Sequence, residues 1–176
     1  MNYIKITKTD IANGEGVRCV LWVAGCDVRC EGCHNPESWD FCAGQPFDES
    51  AMQELLQALS KPWIKGLTLS GGHPLAYSNL PCVQAICETV RSVLPDKDIG
   101  LYTGYSLTKE DFAPTERSWI GHNLRRSVLS MCDVVVDGPY DNSLRDISLR
   151  FRGSSNQRII DVRRTAIDGE IRLWQK

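Results

Sequence analysis

Three cysteines constrain this chain most. Cys26, Cys30 and Cys33 follow directly on Val20-Leu21-Trp22-Val23-Ala24. That stretch is apolar on both faces, as a buried parallel strand would be. Whatever the fold, a central strand must end in a loop that presents three thiols together. Spacings of four and three residues let one loop wrap a compact centre. Thiolates bind iron, and a cubane cluster usually takes four of them. Three leave one iron open to bind something else. The other chemistry open to these residues is a zinc knuckle with His34 as fourth ligand. Adjacent Cys33 and His34 are poorly placed to chelate one tetrahedral ion.

The chain has 176 residues, 42% of them hydrophobic. That length predicts one domain, residues 1–176, with enough apolar material for a sizeable core. The formal net charge of -2 argues against a general nucleic-acid coat. No apolar run reaches the roughly 18 residues of a membrane span. The first residues, Met1-Asn2-Tyr3-Ile4-Lys5, lack an apolar signal core, so a cytoplasmic location is expected. Of the eight cysteines, three crowd into one loop, which in a reducing compartment reads as metal binding. Cys19, Cys82, Cys87 and Cys132 read as small core residues. Cys42 lies in a loop near the thiol run.

Strand and helix signals alternate. Asp48 or Ser50 can cap a helix through about Leu59, with Met52, Leu55, Leu56 and Leu59 on one face. Gly66 to Ser70 reads as a strand. Ser78 or Asn79, with Pro81 in the first turn, opens a helix to about Leu94. Ile99 to Thr103 and Cys132 to Val136 read as further strands. Thr108-x-x-Asp111 resembles a capping box, with helix resuming around Trp119 to Ser130. Asp161 to Lys176 reads as short strands around Asp168-Gly169. The class is therefore α/β with a mostly parallel sheet. A closed eight-unit barrel takes about 250 residues, so a barrel built from this chain stays open. Chemistry in such sheets sits at the carboxyl ends of the strands. Cys26, Gly71, Gly72, Thr103, Gly104, Asp137 and Gly138 fall there.

Further motifs surround the thiol run. Asn13-Gly14-Glu15-Gly16-Val17-Arg18-Cys19 precedes it, and Cys33-His34-Asn35-Pro36-Glu37-Ser38-Trp39 follows. Then come Gly44-Gln45-Pro46-Phe47, Leu69-Ser70-Gly71-Gly72-His73-Pro74-Leu75, Tyr102-Thr103-Gly104-Tyr105, Val136-Asp137-Gly138-Pro139-Tyr140 and Arg152-Gly153-Ser154-Ser155-Asn156-Gln157. In this order and at these separations they resemble the glycyl-radical activating enzymes of the radical S-adenosylmethionine (radical SAM) superfamily. Within these they are similar to the group serving anaerobic ribonucleoside-triphosphate reductase. The resemblance runs over roughly residues 10 to 160. It implies an open partial (β/α) barrel of the radical SAM type. It implies a [4Fe–4S] cluster held by Cys26, Cys30 and Cys33, with SAM on the fourth iron. Gly32, Cys33, His34, Gly71, Gly72, His73 and Thr103 would lie about the SAM.

In such enzymes an electron from the cluster cleaves the sulfonium C–S bond, giving methionine and a 5′-deoxyadenosyl radical. The protein supplies orientation and exclusion of water. The implied partners are the large subunit of the anaerobic reductase, which would lose a glycine hydrogen, and a one-electron donor such as flavodoxin. Two positions depart from the superfamily pattern. Gly32 stands where many members have an aromatic residue, and His34 follows the third cysteine. His73 stands where an acidic residue is common after Gly-Gly. Either a neutral His73 accepts from SAM's amino group, or backbone carbonyls near Gly71 and Gly72 do so.

Residues 143–176 hold eight basic side chains against four acidic ones. Most can form a solvated, salt-bridged face. Arg152 and Asn156, inside a family motif, are the candidates for docking or phosphate contact. Two other functions fit parts of the pattern. One is a radical SAM enzyme acting on a small molecule in cofactor or modified-base synthesis. The other is a zinc-stabilised nucleic-acid-binding module.

Overall fold

The computed structural model describes residues 1–113 and 120–175, and Trp119 lies outside them. Seven strands of the described residues form one mixed sheet, in the order β3-β1-β2-β4-β5-β6-β7. Strands β2 (Arg18–Val23), β4 (Gly66–Gly71), β5 (Asp98–Tyr102) and β6 (Val134–Asp137) run parallel to one another. Helices α1 (Glu49–Leu59), α2 (Leu80–Val93) and α3 (Ile120–Ser130) carry the chain between them. Parallel pairing needs a long crossover, and each helix supplies one.

The edges correct the expectation of a mostly parallel sheet. Strand β1 (Asn2–Asp10) pairs antiparallel with β2, and the short β3 (Gln45–Pro46) pairs antiparallel with β1. Strand β7 (Arg158–Asp161) pairs antiparallel with β6. Three of the six pairings are thus antiparallel. Residues 11–17 are too few for a crossover, so β1 and β2 must meet as a hairpin. Strand β1 gave little sequence signal because Lys5, Thr7, Lys8 and Thr9 dilute its apolar alternation.

The end of the chain holds a second correction. Asp168-Gly169 is no hairpin turn. Val162–Asp168 is a helix, α4. Asp161 caps it by accepting from the Arg164 backbone N–H, and Gly169 closes it in the left-handed region at φ +68°.

One face of the sheet carries the core. Leu21, Leu67, Leu69, Ile99, Leu101 and Val135 pack against Leu55 and Leu59 of α1, Val83, Ile86 and Val90 of α2, and Val128 and Leu129 of α3. Cys19, Cys87 and Cys132 are buried in this core and Cys82 is half-buried against it. The alternate residues face the other way. There Arg18, buried, donates to Thr68 Oγ1 and to the Leu67 carbonyl, and pairs with Asp98. A cavity of about 300 Å³ lies on this second side, lined by Arg18, Gly100, Tyr102, Val136, Phe151 and Trp174 among others. Among the described residues no helix is long and apolar enough to cross a membrane.

Candidate cluster and cofactor site

The carboxyl ends of β2, β4, β5 and β6 gather the expected residues. After Val23 the chain bends at Gly25, φ +90°, where any Cβ would strike the Phe41 ring. Gly25 N–H donates to Ser38 O and Cys26 N–H to Trp39 O, so residues 25–39 close on themselves as a loop. Cys26, Cys30 and Cys33 lie within this loop and are half-buried. The Cys33 N–H donates to Cys30 O, and the Asn35 N–H lies 3.4 Å from Cys33 Sγ. Burial pushes the Cys30 thiol up. The Tyr140 backbone N–H opposes that, and Cys26 and Cys33 add their repulsion. Tyr140 thus reaches Cys30 from the segment after β6.

The donor set fits a cubane. All eight cysteines are free thiols, and the five others lie in the core or, like Cys42, are exposed. A zinc ion needs its ligands drawn to one point. Cys26, Cys30 and Cys33, free and half-buried in one loop, offer one thiol for each of three irons, and His34 beside them is exposed. A cubane takes one thiolate per iron and spreads them.

Gly71 and Gly72 lie directly beneath this loop. Gly71 has φ +102°, and a Cβ there would come within 2.7 Å of Val23 N and O. A Cβ on Gly72 would come within 2.5 Å of Gly25 O. Gly72 N–H donates to Val23 O and His73 N–H to Gly25 O. Their smallness therefore serves the contact between two strand ends. His34 is exposed. Gly32, φ +72°, leaves room for Asn142, whose side chain would lie 3.2 Å from a Cβ there.

His73 is buried, only 1% exposed. Its Nδ1 lies 2.5 Å from Asp27 Oδ1 and its Nε2 lies 2.7 Å from Thr103 Oγ1. Tyr105 OH donates to Asp27 Oδ2, and the Tyr105 ring meets the His73 ring edge-on at 4.1 Å. Arg125 of α3 lies over the Tyr105 ring. Burial holds the His73 imidazole below its usual range and outweighs Asp27, which works the other way. The ring is therefore neutral at neutral pH. A carboxylate only accepts, so Nδ1 carries the proton and Nε2 accepts from Thr103. Partial burial raises the Asp27 carboxyl, but hydrogen bonds from Tyr105 and His73 prevail and lower it. Burial and then Asp27 push the Tyr105 hydroxyl up to about 12. Both ring nitrogens of His73 are thus committed within the protein.

Asp27, Tyr105 and Asn79 escaped the sequence reading as site residues. Asn79 stands before α2 like a cap, yet its side chain makes no cap bond. It donates instead to the carbonyls of Ala24 and His73, tying the β4–α2 turn to the root of the thiol loop. Nothing in sequence separates the two uses of an asparagine at that place. Asp27 and Tyr105 are 78 residues apart; only the parallel order of β2, β4 and β5 brings them together.

Arg152 and Asn156 fall elsewhere in the design. Asn156 Nδ2 donates to Pro139 O, Arg152 donates to Gln157 O, and Gln157 Nε2 donates to Gly138 O. The Gln157 carbonyl of the side chain accepts from Gly153 and Ser154 N–H. The motif thus ties the neck of a loop running from Gly138 to Gln157. Asp137, buried, accepts from Leu107 N–H and pairs with Arg158.

A half-buried three-thiol loop over the carboxyl ends of an α/β sheet defines a single-cluster iron–sulfur protein, and the family described as a 4Fe-4S single cluster domain matches residues 12–160. The anaerobic ribonucleoside-triphosphate reductase-activating protein of Pasteurella multocida (strain Pm70) is 44% identical over 159 residues, 89% of this chain and 95% of that protein. Its counterpart in Escherichia coli (strain K12) is 37% identical over 93% of this chain and 100% of its own length. That of Enterobacteria phage T4 is 40% identical over 90% of this chain and 93% of its own. The chain belongs to the family of anaerobic ribonucleoside-triphosphate reductase-activating proteins.

Proposed function

We propose that this protein is a radical SAM activase that generates a glycyl radical on the anaerobic ribonucleoside-triphosphate reductase. The observation that carries the reading is the set of three free, half-buried thiols in one loop at the carboxyl end of a central parallel strand. When bound, a [4Fe–4S] cluster and SAM supply one-electron cleavage of the sulfonium and a 5′-deoxyadenosyl radical. Cys26, Cys30 and Cys33 would hold three irons. Gly32, Cys33, His34, Gly71 and Gly72 would border the SAM, and His73 and Thr103 would act from behind it. Phe41 packed over Gly25, and the Gly138–Gln157 loop reaching Cys30 through Tyr140, would keep water from the centre.

The finer architecture belongs to the same reading. Helices on one sheet face and a cleft on the other support the reading of residues 1–176 as one domain, an open partial barrel of the radical SAM type. An open side admits a macromolecular substrate's backbone. The electron donor would be a flavodoxin-like protein. Free thiols throughout suit the reducing cytoplasm.

The test is to reduce the cluster-loaded protein with SAM and the reductase's large subunit and record electron paramagnetic resonance. A carbon-centred radical on the reductase is expected, and deuterium on its glycine α carbon should pass into 5′-deoxyadenosine. Label transfer only from a small metabolite would replace this reading with the small-molecule one.

A further inference from the structure

The geometry points to Asp27 as a SAM-contacting residue, its carboxylate accepting an N–H of the amino group. This rests on the SAM reading above. It assigns a role to a side chain at a variable position between the first two cysteines of the thiol run.

The inference starts from what His73 cannot do. Its ring is 1% exposed and both nitrogens have partners inside the protein. The imidazole therefore neither accepts from a ligand nor reaches one. What it does is hold Asp27. Nδ1–H fixes one carboxylate oxygen, and the Tyr105 hydroxyl fixes the other. Thr103 in turn fixes the imidazole from the far side. The backbone is anchored too, with Cys26 N–H on Trp39 O and the Arg29 side chain on Cys26 O.

Asp27 is thus an oriented anion one residue from a thiol ligand. Among the described residues both of its side-chain donors are neutral, so its charge is not cancelled by a bonded cation. Arg125 lies on the Tyr105 ring, one group removed. The Asp27 side chain is 43% exposed. The two carboxylate oxygens have about four acceptor sites between them, and with His73, Tyr105 and the residue's own backbone N–H as donors one is left open. A group bound beside Cys26 and carrying N–H donors and positive charge meets this carboxylate. SAM is such a group. Its amino group offers N–H bonds whether free or iron-bound, and its sulfonium adds a favourable charge. Two neutral donors at short range are how a protein keeps an anion aligned without neutralising it. Two binding modes differ in their donors. An amino contact is shared by SAM and S-adenosylhomocysteine, which lacks the sulfonium charge. A contact driven by charge on sulfur is confined to SAM.

The experiment compares cluster-loaded wild type, Asp27→Asn and Asp27→Glu by anaerobic titration calorimetry with SAM and with S-adenosylhomocysteine. Iron and sulfide content is measured alongside. Asp27→Asn should retain its cluster and bind both ligands at least tenfold more weakly. Asp27→Glu should recover part of that loss. Unchanged SAM affinity in Asp27→Asn overturns the proposal, and so does a loss confined to SAM. Should Asp27→Asn fail to load a cluster, Tyr105→Phe carries the test. That change removes one of the two aligning donors and should weaken both ligands several-fold. Wild-type affinity in Tyr105→Phe would then overturn the proposal. If wild type itself binds no SAM, it is the activase reading that fails.

Discussion

At the scale of single residues, the thiols divide by their surroundings. Cys26, Cys30 and Cys33 share one loop, while Cys82, on α2, is half-buried against the core. Replacing any of the first three by Ala should abolish cluster assembly and SAM cleavage. Cys82→Ala should keep both, with a stability loss of about 1 kcal/mol from lost packing. Iron analysis and yield of 5′-deoxyadenosine check this, and a full cubane in Cys30→Ala would contradict the ligand set. His73 gives a pH signature. Its folded-state pKa lies below its unfolded one of about 6.5, because burial disfavours the imidazolium. The unfolded chain therefore takes up this proton first as pH falls. Stability is full above about pH 6.5 and declines below it until the folded form also protonates. Asp27 and the neutral Tyr105 hydroxyl face the ring; Asp27 opposes the shift, and Arg125, beyond Tyr105, adds to it. Urea midpoints at several pH values for wild type and His73→Gln should diverge on the acid side. Parallel curves would show that the ring is not buried neutral.

At the scale of elements, caps and necks decide what propensity leaves open. Of the two candidate caps, Asp48 and Ser50, it is Asp48 that caps α1, accepting from Ala51 N–H. Asp161 does the same for α4. Asp161→Ala should cost about 1 kcal/mol, which for a chain of this size lowers the melting temperature by roughly 2–4 °C. A scanning calorimetry trace identical to wild type would deny α4 its cap. The Asp168-Gly169 pair shows why this helix was misread. Gly in the left-handed region closes a hairpin or a helix equally well. The seven residues of α4 are too few for periodicity to decide between them. The Arg152–Gln157 segment teaches a related lesson. Its polar side chains invited a docking role, yet Asn156, Arg152 and Gln157 spend their hydrogen bonds on closing a loop. A local motif names its residues but not the direction in which they turn.

At the scale of the whole molecule, the core and the site are separable. The core packs between the sheet and its helices, whereas the three thiols stand on a loop beyond the strand ends. Stripping iron with a chelator should therefore leave the far-ultraviolet circular dichroism nearly unchanged and lower the melting temperature by only a few degrees. Wholesale loss of helical signal would mean that the cluster folds the protein. The sequence by itself determined the alternating elements, the buried strands, the helix starts to within a residue or two of Asp48 and Asn79, and the thiol set at a strand end. These rest on local rules: period, capping and ligand spacing. Tertiary structure alone decided that β7 runs antiparallel to β6, since direction follows from which edge a strand finds. It alone brought Asp27, His73, Thr103 and Tyr105 into one network, because contacts between separate strand ends leave no periodic trace in any one segment.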